Sequence, residues 1–502
     1  MAEDLYLVTE RELQSATVNA AGELEFTREN GQKINAGKVR GDITPEAIAA
    51  RDAAVAAKND AVAAKNAAQA VGTTNDTIMT NVAKDPGSQF ATQLSASIAG
   101  IGDVKYAPMR CLYEPSSTAL LKWRTTRAAV LAGVRQGHIA VVGDSIAFGA
   151  AATGTSNPKH LSSWPGRLRA ALAKRYGEAG SGIVIANRDV LATPAYDPRW
   201  AFGPNVTNIG FGFHKWACLR IDAVAGTYVE FTARAEKFVI YNFNDSGGAN
   251  VAKVDGAEVG KFANTTNPAA GVTLSKRTGY HTGQIVTEVP AGAVGSHTLR
   301  VEPDATNANW DIFLAGVEAL IPTPGTFRVS NPSISGKALS SLYGSTSDPT
   351  NNDETGGLYG LPMIDMLKAD LLVIALGIND FQGGSTTAVI KSRLVGLIQR
   401  QRASGANAGG GSKPAGEAVL LLNPKPDTSV ITSPIGVTWE QYRAAAYEVA
   451  AEQNVALIDL GYRWEDFATA NSLGLYGDGI HPNDTGSLDI ATAVDQALFS
   501  YA

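Results

Sequence analysis

Four short polar blocks carry the side chains best suited to chemistry, and the first three directly follow apolar runs typical of buried strands. The blocks are Gly143-Asp144-Ser145, Ser333-Ile334-Ser335-Gly336, Gly377-Ile378-Asn379-Asp380 and Asp478-Gly479-Ile480-His481. In that order they offer a hydroxyl, a backbone N–H beside a small residue, a side-chain amide, and an imidazole with a carboxylate upstream. Acyl transfer requires a nucleophile, oxyanion donors, a base and a group that orients the base.

Taken singly, each block also has a plain structural interpretation. A Gly-Asp-Ser turn commonly caps a helix, and Ala147 stands where the Gly-x-Ser-x-Gly nucleophile elbow needs its last glycine. Gly336 could supply only a permissive backbone, and Asn379 could only close a turn. A lone Asp-x-x-His segment is a common surface turn. The catalytic interpretation becomes stronger when the four blocks are considered together. Ligands of open parallel sheets bind at the carboxyl ends of the strands, where all four blocks are expected to meet.

The elements that must position these blocks are typical of an α/β fold. Apolar strand-like runs alternate with amphipathic helical stretches over residues 105–186 and 326–502, which predicts a mostly parallel sheet with helices on both faces. Residues 187–325 instead carry short alternating runs spaced by Gly, Asn and Pro, which predicts an inserted all-β, jelly-roll-like sandwich. The strands predicted for the α/β domain are 138–142, 183–186, 327–331, 371–376, 419–423 and 456–460.

The first hundred residues have a different pattern. Residues 1–43 contain short extended pieces separated by turns, too little chain for a large core. Residues 44–104 are predicted to form an Ala-rich coiled coil and a linker, because Ile48, Val55 and Val62 recur every seven residues. A single helix lying on a domain surface is the alternative. The strict period over a thin apolar stripe favours a short parallel coiled coil.

Composition and charge exclude several classes of function. A net charge of -6 offers no basic surface for phosphate-driven nucleic-acid binding, and no apolar run approaches the roughly 20 residues that span a bilayer. No signal-peptide pattern is visible at the acidic start. Cys111 and Cys218 are expected to be buried thiols, and no cofactor or metal is expected. The histidines outside the four blocks lack metal-ligand spacing and are expected to be structural: His138, His160, His214, His281 and His297. Among these, His160 could border the substrate pocket.

The four blocks, in this order, resemble those of the SGNH, or GDSL, hydrolase family. The resemblance covers residues 105–186 and 326–502, and it implies a flavodoxin-like α/β/α sandwich and ester hydrolysis through an acyl-enzyme. It implies that Ser145 is the nucleophile, that His481 takes its proton, and that Asp478 orients the imidazole.

The same resemblance implies an oxyanion hole. Its donors would be the backbone N–H groups of Ser145 and Gly336 and the side-chain amide of Asn379. The β-rich insertion lengthens the gap between the first two blocks, so Gly180 or Gly182 is the fallback for Gly336. Asp144 and Asp380 are expected to bond turn amides, with a secondary acid role left open for Asp380.

The N-terminal region, over about 75 residues, is similar to the attachment end of bacteriophage tail fibre or minor tail proteins. This resemblance implies a homotrimeric virion tail protein that is joined to other tail proteins through its N-terminus. Together with the hydrolase resemblance, it predicts removal of acyl groups, O-acetyl above all, from a host cell-surface polysaccharide or glycolipid. The alternatives are a non-catalytic receptor-binding fibre and a bacterial esterase outside any virion. The aromatic residues available to stack on sugar are Trp200, Phe211, Phe213, Trp216, Tyr241 and Phe243.

Overall fold

The structure is a computed structural model that describes most of the chain after residue 110 and three short segments before it. The described residues are 13–19, 23–28, 32–38, 111–152, 158–185, 188–209, 218–243, 249–263, 272–274, 276–278, 284–304, 311–342, 365–403, 405–406, 412–413 and 415–499. The chain divides into two units, residues 1–102 and residues 103–502.

The described strands, in chain order, are β1 (Leu13–Val18), β2 (Glu23–Arg28), β3 (Lys33–Lys38), β4 (Leu112–Tyr113), β5 (Gly137–Gly143), β6 (Gly180–Val184), β7 (Trp200–Phe202), β8 (Val206–Ile209), β9 (Cys218–Ile221), β10 (Val229–Phe243), β11 (Ala249–Val254), β12 (Ala257–Ala263), β13 (Lys276–Thr278), β14 (Gln284–Pro303), β15 (Ile312–Leu320), β16 (Phe327–Ser330), β17 (Leu371–Ala375), β18 (Gly405–Ala406), β19 (Ser412–Lys413), β20 (Glu417–Leu422) and β21 (Ala456–Asp459).

The described α-helices are α1 (Leu121–Leu131), α2 (Ser145–Phe148), α3 (Lys159–Ser162), α4 (Trp164–Tyr176), α5 (Arg188–Ala192), α6 (Ile378–Gln382), α7 (Thr387–Arg402), α8 (Trp439–Glu452), α9 (Leu460–Trp464), α10 (Phe467–Ser472) and α11 (Asp484–Phe499). Short 3-10 turns span Pro194–Tyr196 and Leu339–Leu342. None of the described helices is long and apolar enough to cross a membrane.

A six-stranded sheet with the order β16-β5-β17-β20-β21-β4 carries three of the four polar blocks after its strands. Its first five strands run parallel, and β4 pairs antiparallel with β21 at the far edge. Counted along the chain, these five parallel strands stand in the order 2-1-3-4-5, which is the flavodoxin-like arrangement. Every residue of β5, β17, β20 and β21 is buried, as parallel strands covered by helices require. The α/β fold predicted from the sequence is confirmed.

A second, antiparallel sheet follows the order β12-β11-β14-β10-β15-β9-β8, with β13 on β14, β6 on β15 and β7 on β10. The long strands β10 and β14 pair along most of their length and shift register between Ala235 and Lys237. Before that shift β10 also pairs with β7, and after it β10 pairs with β15. The strand β10 therefore pairs with β14 on one side and changes its neighbour on the other side from β7 to β15. That residues 187–325 form a separate inserted sandwich stays a prediction.

The strand predicted at 183–186 belongs to a different sheet from the one expected. It is observed as β6, which pairs antiparallel with β15 rather than joining the parallel sheet. Glycine permits close backbone packing on both sides of β6, because a Cβ on Gly180 would lie 2.1 Å from the carbonyl oxygen of Ala319 in β15, and one on Gly182 would lie 2.3 Å from that of Val329 in β16. The chain therefore enters the antiparallel sheet before residue 187.

Three of the aromatic residues considered for sugar stacking lie in the core. Trp200, Tyr241 and Phe243 are at most 4% exposed, so they cannot stack on a ligand at the surface. Trp200 packs on Phe231, and the hydroxyl of Tyr241 donates to Glu318 at 2.9 Å. Their place in the core explains why aromatic residues occur at these three positions. The other three, Phe211, Phe213 and Trp216, lie outside the described residues.

In the first unit, β1, β2 and β3 form a three-stranded antiparallel sheet. The extended piece predicted at 24–27 falls within β2. The piece predicted at 5–8 and the coiled coil predicted within 44–104 lie outside the described residues.

Candidate active site

Three neighbouring parallel strands bring three of the polar blocks to one edge of the sheet. β5 lies between β16 and β17, and Gly143 at its end is paired with Ala375 at the end of β17. Each strand runs directly into its block, so the blocks containing Ser145, Gly336 and Asn379 emerge side by side. This is the edge at which open parallel sheets bind ligands.

Ser145 is the first residue of α2 and follows a tight turn out of β5. Asp144 caps the helix, with its Oδ1 accepting the N–H of Ile146 at 2.9 Å. Gly143 is required just before, because a Cβ there would lie 2.4 Å from the Cβ of Ala147. The Ser145 side chain is thus placed by a short, closely packed turn, and the residue is only 4% exposed.

His481 bridges Ser145 and Asp478. Its Nε2 lies 2.9 Å from Ser145 Oγ, and its Nδ1 lies 2.8 Å from Asp478 Oδ2. An ionised carboxylate can only accept hydrogen bonds, so the ring hydrogen belongs on Nδ1 and the Ser145 hydroxyl donates to Nε2. Ser145 and His481 are 336 positions apart in the sequence, and the fold brings them into one hydrogen-bonded chain with Asp478.

The turn around Asp478 fixes that residue as well. Asp478 Oδ1 accepts the backbone N–H groups of Ile480 and His481, both at 2.7 Å. Burial acts to raise the pKa of Asp478, but the hydrogen bonds from the side chain and backbone of His481 and from Ile480 outweigh it and hold the pKa below its usual value. Asp478 is therefore ionised at neutral pH. The backbone N–H of Gly477 donates to the carbonyl of His481 at 2.8 Å and closes the loop.

The blocks containing Gly336 and Asn379 are in contact. The Asn379 side-chain amide donates to the carbonyl oxygen of Lys337 at 2.8 Å, which leaves its second hydrogen for another acceptor. Gly336 has a φ of 72°, a conformation that favours glycine, and a Cβ built there would meet nothing within 4 Å. A permissive backbone beside open space is compatible with an exposed N–H donor at this position.

The fallback glycines have another explanation. Gly180 and Gly182 lie inside β6, where close backbone packing against Ala319 and Val329 accounts for the absence of a side chain. Gly336 stays the stronger candidate, because it lies beside the block that contains Asn379.

Asp380 ties two of the blocks together. Its Oδ2 accepts the N–H of Leu339 at 2.6 Å, and its Oδ1 accepts from Arg393 at 3.0 Å. Burial raises the pKa of Asp380 although both of these groups act to lower it. The contacts are those of a positioning residue, which agrees with the structural role expected from the sequence.

Sequence reasoning missed Asn423, which directly follows β20 at the same edge of the sheet. Its side-chain amide donates to Asp144 Oδ2 at 3.3 Å, so it helps to hold the cap of the helix that carries Ser145. A polar residue at the end of an apolar strand was the available signal. Tyr442 was missed too; its hydroxyl donates to the carbonyl of Leu376 at 3.1 Å, just before the Asn379 block.

The histidines outside the four blocks have structural contacts where they are described. His138 Nε2 lies 2.7 Å from Ser330 Oγ, and His297 Nδ1 lies 2.8 Å from Asp255 Oδ2. His214 and His281 lie outside the described residues. Within the described part of the chain, no group of three or more His, Cys, Asp or Glu side chains could hold a metal ion. Cys111 and Cys218 are both buried and free, as predicted.

Comparison with known proteins agrees with this geometry. The sequence model of the GDSL-like Lipase/Acylhydrolase family matches residues 326–487, a range that includes Gly336, Asn379, Asp478 and His481. This match supports a hydrolase domain of the GDSL, or SGNH, family in that part of the chain. The GDSL block with Ser145 lies outside the matched range and joins it through the pairing of β5 with β16 and β17.

Several solved structures are similar to this chain. A peptidoglycan O-acetylesterase aligns with a TM-score of 0.54 and 17% identity, covering 78% of this chain and 99% of that chain. A family two carbohydrate esterase from Clostridium thermocellum aligns with a TM-score of 0.24 and 14% identity, covering 59% of this chain and 100% of that chain. The first likeness shows a shared fold, and the second is too low to carry an argument. A search of curated proteins found no match.

Proposed function

We propose that this hydrolase is a serine esterase in which Ser145, His481 and Asp478 form a catalytic triad. The observation that carries the proposal is the continuous hydrogen-bonded chain from Ser145 Oγ through the imidazole to the Asp478 carboxylate. Such a chain activates a hydroxyl for attack on a carbonyl carbon. A protein that only binds a glycan has no use for this arrangement.

In the proposed reaction, His481 Nε2 takes the Ser145 proton as Oγ attacks the ester carbonyl carbon. The carbonyl oxygen becomes an anion held by the N–H groups of Ser145 and Gly336 and by the Asn379 amide. His481 then gives the proton to the leaving alkoxide, and the acyl group remains on Ser145. A water molecule, deprotonated by His481, attacks this acyl-enzyme; the acid leaves, and Ser145 regains its proton. Throughout, Asp478 stabilises the charged imidazole.

The acyl group that we propose is O-acetyl on a cell-surface glycan. This choice follows the activity named for the aligned peptidoglycan O-acetylesterase. The substrate test is direct: purified wall and capsular polysaccharides are incubated with the protein, and the released acid is measured. Release of acetate from a glycan would support the proposal, and activity confined to glycerolipid esters would overturn the choice of glycan.

The catalytic test uses p-nitrophenyl acetate and the variant Ser145→Ala. We expect kcat to fall by about 1,000-fold or more, because loss of the nucleophile removes the covalent route. Undiminished turnover in a folded variant would refute the assignment of the triad and favour the interpretation of the chain as a receptor-binding fibre.

We further propose that the chain is a homotrimer in a virion tail, joined to other tail proteins through its N-terminal region and acting on the host surface. The sequence resemblance of that region supports this proposal, as does the small antiparallel sheet of β1 to β3, which fits an attachment module. Light scattering on the full chain tests the assembly. The mass of three chains is expected, whereas the mass of one chain would favour a bacterial esterase outside any virion.

A further inference from the structure

A small cavity lies against the helix that begins at the proposed nucleophile. It has a volume of about 50 Å³, room for about three or four groups the size of a water molecule. Phe148, at the end of α2, lines it together with Asn331 and Ser333 from the segment after β16. The Asn331 amide donates to the carbonyl of Ala147 at 3.0 Å. The cavity therefore shares a wall with the turn that positions Ser145.

Two of the charged groups that line the cavity balance each other. Arg199 Nε and Nη2 lie 2.7 and 2.6 Å from the two carboxylate oxygens of Asp197. Burial acts to raise the pKa of Asp197, but the charge and hydrogen bonds of Arg199 outweigh it and lower the pKa. This pair is a closed ionic unit and leaves no net charge for a ligand.

Lys159 also lines the cavity, but its ammonium group is already occupied. Its Nζ donates to the carbonyl oxygens of Gly149 at 3.0 Å and Ala150 at 2.7 Å. Burial lowers the pKa of Lys159, and the nearby carboxylates of Asp189 and Asp484 act against that shift. Lys159 therefore serves to hold the loop after α2.

Arg169 differs from these cations. Its hydrogen bonds within the described residues are two long ones of 3.3 Å, to the backbone carbonyl oxygens of Ser181 and His160. No carboxylate of a described residue lies within ion-pair distance of its guanidinium. Burial and the charge of Arg199 lower the pKa of Arg169 to about 10, although Asp197 acts to raise it, so the group is charged at neutral pH. A partly buried charge without an ion-pair partner among the described residues is costly, and it favours an anionic partner.

Two buried hydroxyls line the same cavity. Ser163 Oγ and Ser333 Oγ have no hydrogen-bond partner among the described residues, and both residues are at most 1% exposed. His160 Nδ1 lies 3.2 Å from Asp197 Oδ1 without the alignment of a hydrogen bond, and burial lowers the pKa of His160 to about 3, so this ring is neutral. The cavity thus combines, among the described residues that line it, one guanidinium without an ion-pair partner and two hydroxyls without a hydrogen-bond partner.

We propose that this cavity binds a small carboxylate, either the acid released by ester hydrolysis or the carboxylate of an acidic sugar on the substrate. A guanidinium matches the two oxygens of a carboxylate, and the two hydroxyls can donate to the same group. The volume admits a carboxylate with one or two further atoms. Only the source of the carboxylate depends on the proposed esterase function, because binding itself needs no turnover.

The experiment measures binding to the full-length Ser145→Ala variant, which cannot turn over ester. Sodium acetate and sodium D-glucuronate are titrated at constant ionic strength against sodium chloride, and Tm is followed by circular dichroism. We expect a saturable rise in Tm with at least one of the two carboxylates. Saturation with acetate alone assigns the site to the released acid, and saturation with glucuronate assigns it to an acidic sugar. No saturable rise with either salt overturns the proposal.

Substitutions identify the site. Adding Arg169→Gln should raise the Kd of the bound carboxylate by about tenfold or more, because a charge-assisted bond is lost. Lys174→Gln, on the exposed face of the same helix, is the matched control and should leave the Kd unchanged. An equal Kd in the Arg169 variant overturns the proposal. If that variant does not fold, Ser163→Ala replaces it, and an unchanged Kd there has the same meaning.

The two proposals fail separately. Carboxylate binding by a chain that hydrolyses no ester would refute the esterase function and leave this site in place. An active esterase that binds neither probe would refute this site alone.

Discussion

Replacing Asp478 by Asn tests whether the carboxylate holds the His481 ring in one tautomer. Asp478 Oδ2 lies 2.8 Å from His481 Nδ1, and an ionised carboxylate requires the ring hydrogen to be there. Asn keeps the size of the side chain but replaces one oxygen by an NH2 group. If that group faces Nδ1, the ring hydrogen moves to Nε2, and the imidazole can no longer accept the Ser145 proton.

The local hydrogen bonds decide which way the new amide of the Asp478→Asn variant would face. In the structure, Asp478 Oδ1 accepts two backbone N–H groups at 2.7 Å each, from Ile480 and His481. The single amide oxygen would stay with those two donors, since each bond contributes about 1 kcal/mol and turning the amide would break both. The NH2 group then faces the ring, and the inactive tautomer is favoured.

The size of the effect follows from this geometry and from exposure. The corresponding change in a serine protease triad lowers kcat by about 10,000-fold. The Asp478 side chain is 53% exposed, so water can replace part of the lost stabilisation of the imidazolium. We therefore expect Asp478→Asn to lower kcat by about 1,000-fold while KM changes little.

The assay is steady-state hydrolysis of p-nitrophenyl acetate, with Tm measured on the same preparations. Asp466→Asn is the matched control, because Asp466 also caps a turn by accepting the N–H of Thr469 at 2.8 Å but has no contact with His481 in the described structure. The control should keep wild-type kcat. A kcat for Asp478→Asn within tenfold of the wild type, at unchanged Tm, would refute the assignment of Asp478 as the orienting group.

Three further changes test the surroundings of the triad. Asn379→Ala should lower kcat by about 100- to 1,000-fold in the same assay, because it removes one proposed oxyanion donor; a loss confined to KM would contradict that role. Burial raises the pKa of Asp144 to about 7, so the stabilisation that this group contributes is lost as the pH rises from 3.8 to about 7, by up to about 1.4 kcal/mol per pH unit. The free energy of unfolding of Asp144→Asn, measured with urea at several pH values, should lack that slope. Equal pH slopes for the variant and the wild type would contradict this prediction. Burial, with the charge of Arg328, holds the pKa of His138 well below 6.5, so the unfolded chain binds a proton that the folded one does not. The free energy of unfolding should therefore fall through this group as the pH drops below 6.5, and His138→Gln should reduce that fall.

The reactive groups could be predicted from the sequence because each is tied to a local signal. A buried parallel strand is a continuous apolar run, and its carboxyl end is where a polar block becomes visible. Ser145 and Asn379 follow such runs directly, and parallel pairing then brings their blocks to one edge without further information. Asp478 and His481 are only three residues apart, so one turn sets their contact.

The supporting contacts could not be predicted, because they join residues that no local pattern connects. Asn423 reaches Asp144 across the sheet, and Tyr442 reaches the carbonyl of Leu376 from α8. Each side chain has several structural uses at the end of a strand or on a helix. Only the fold selects one of them.

The choice of sheet for β6 shows the same limit for the backbone. The sequence pattern predicts residues 183–186 as a strand of the parallel sheet, because apolar residues follow an amphipathic helix there. The pattern does not reveal that Gly180 closely approaches Ala319 of β15 and that Gly182 closely approaches Val329 of β16, where a side chain on either glycine would clash with a carbonyl oxygen. A glycine in a strand signals that some backbone comes near, but not which one.

Whether a charged side chain is covered in the fold is the property that sequence patterns predict least well. Arg169 lies on α4 among residues with helical spacing, where an arginine normally marks the face in solvent. Arg169 is partly buried because α4 is covered by the segment that carries His160 and by the β6 strand with Ser181, whose carbonyl groups it contacts. A sequence therefore identifies groups that react at the ends of strands more readily than it identifies the charges that surround them. The anion titration tests this second kind of residue, the charged groups around the proposed carboxylate site, which the triad variants leave unchanged.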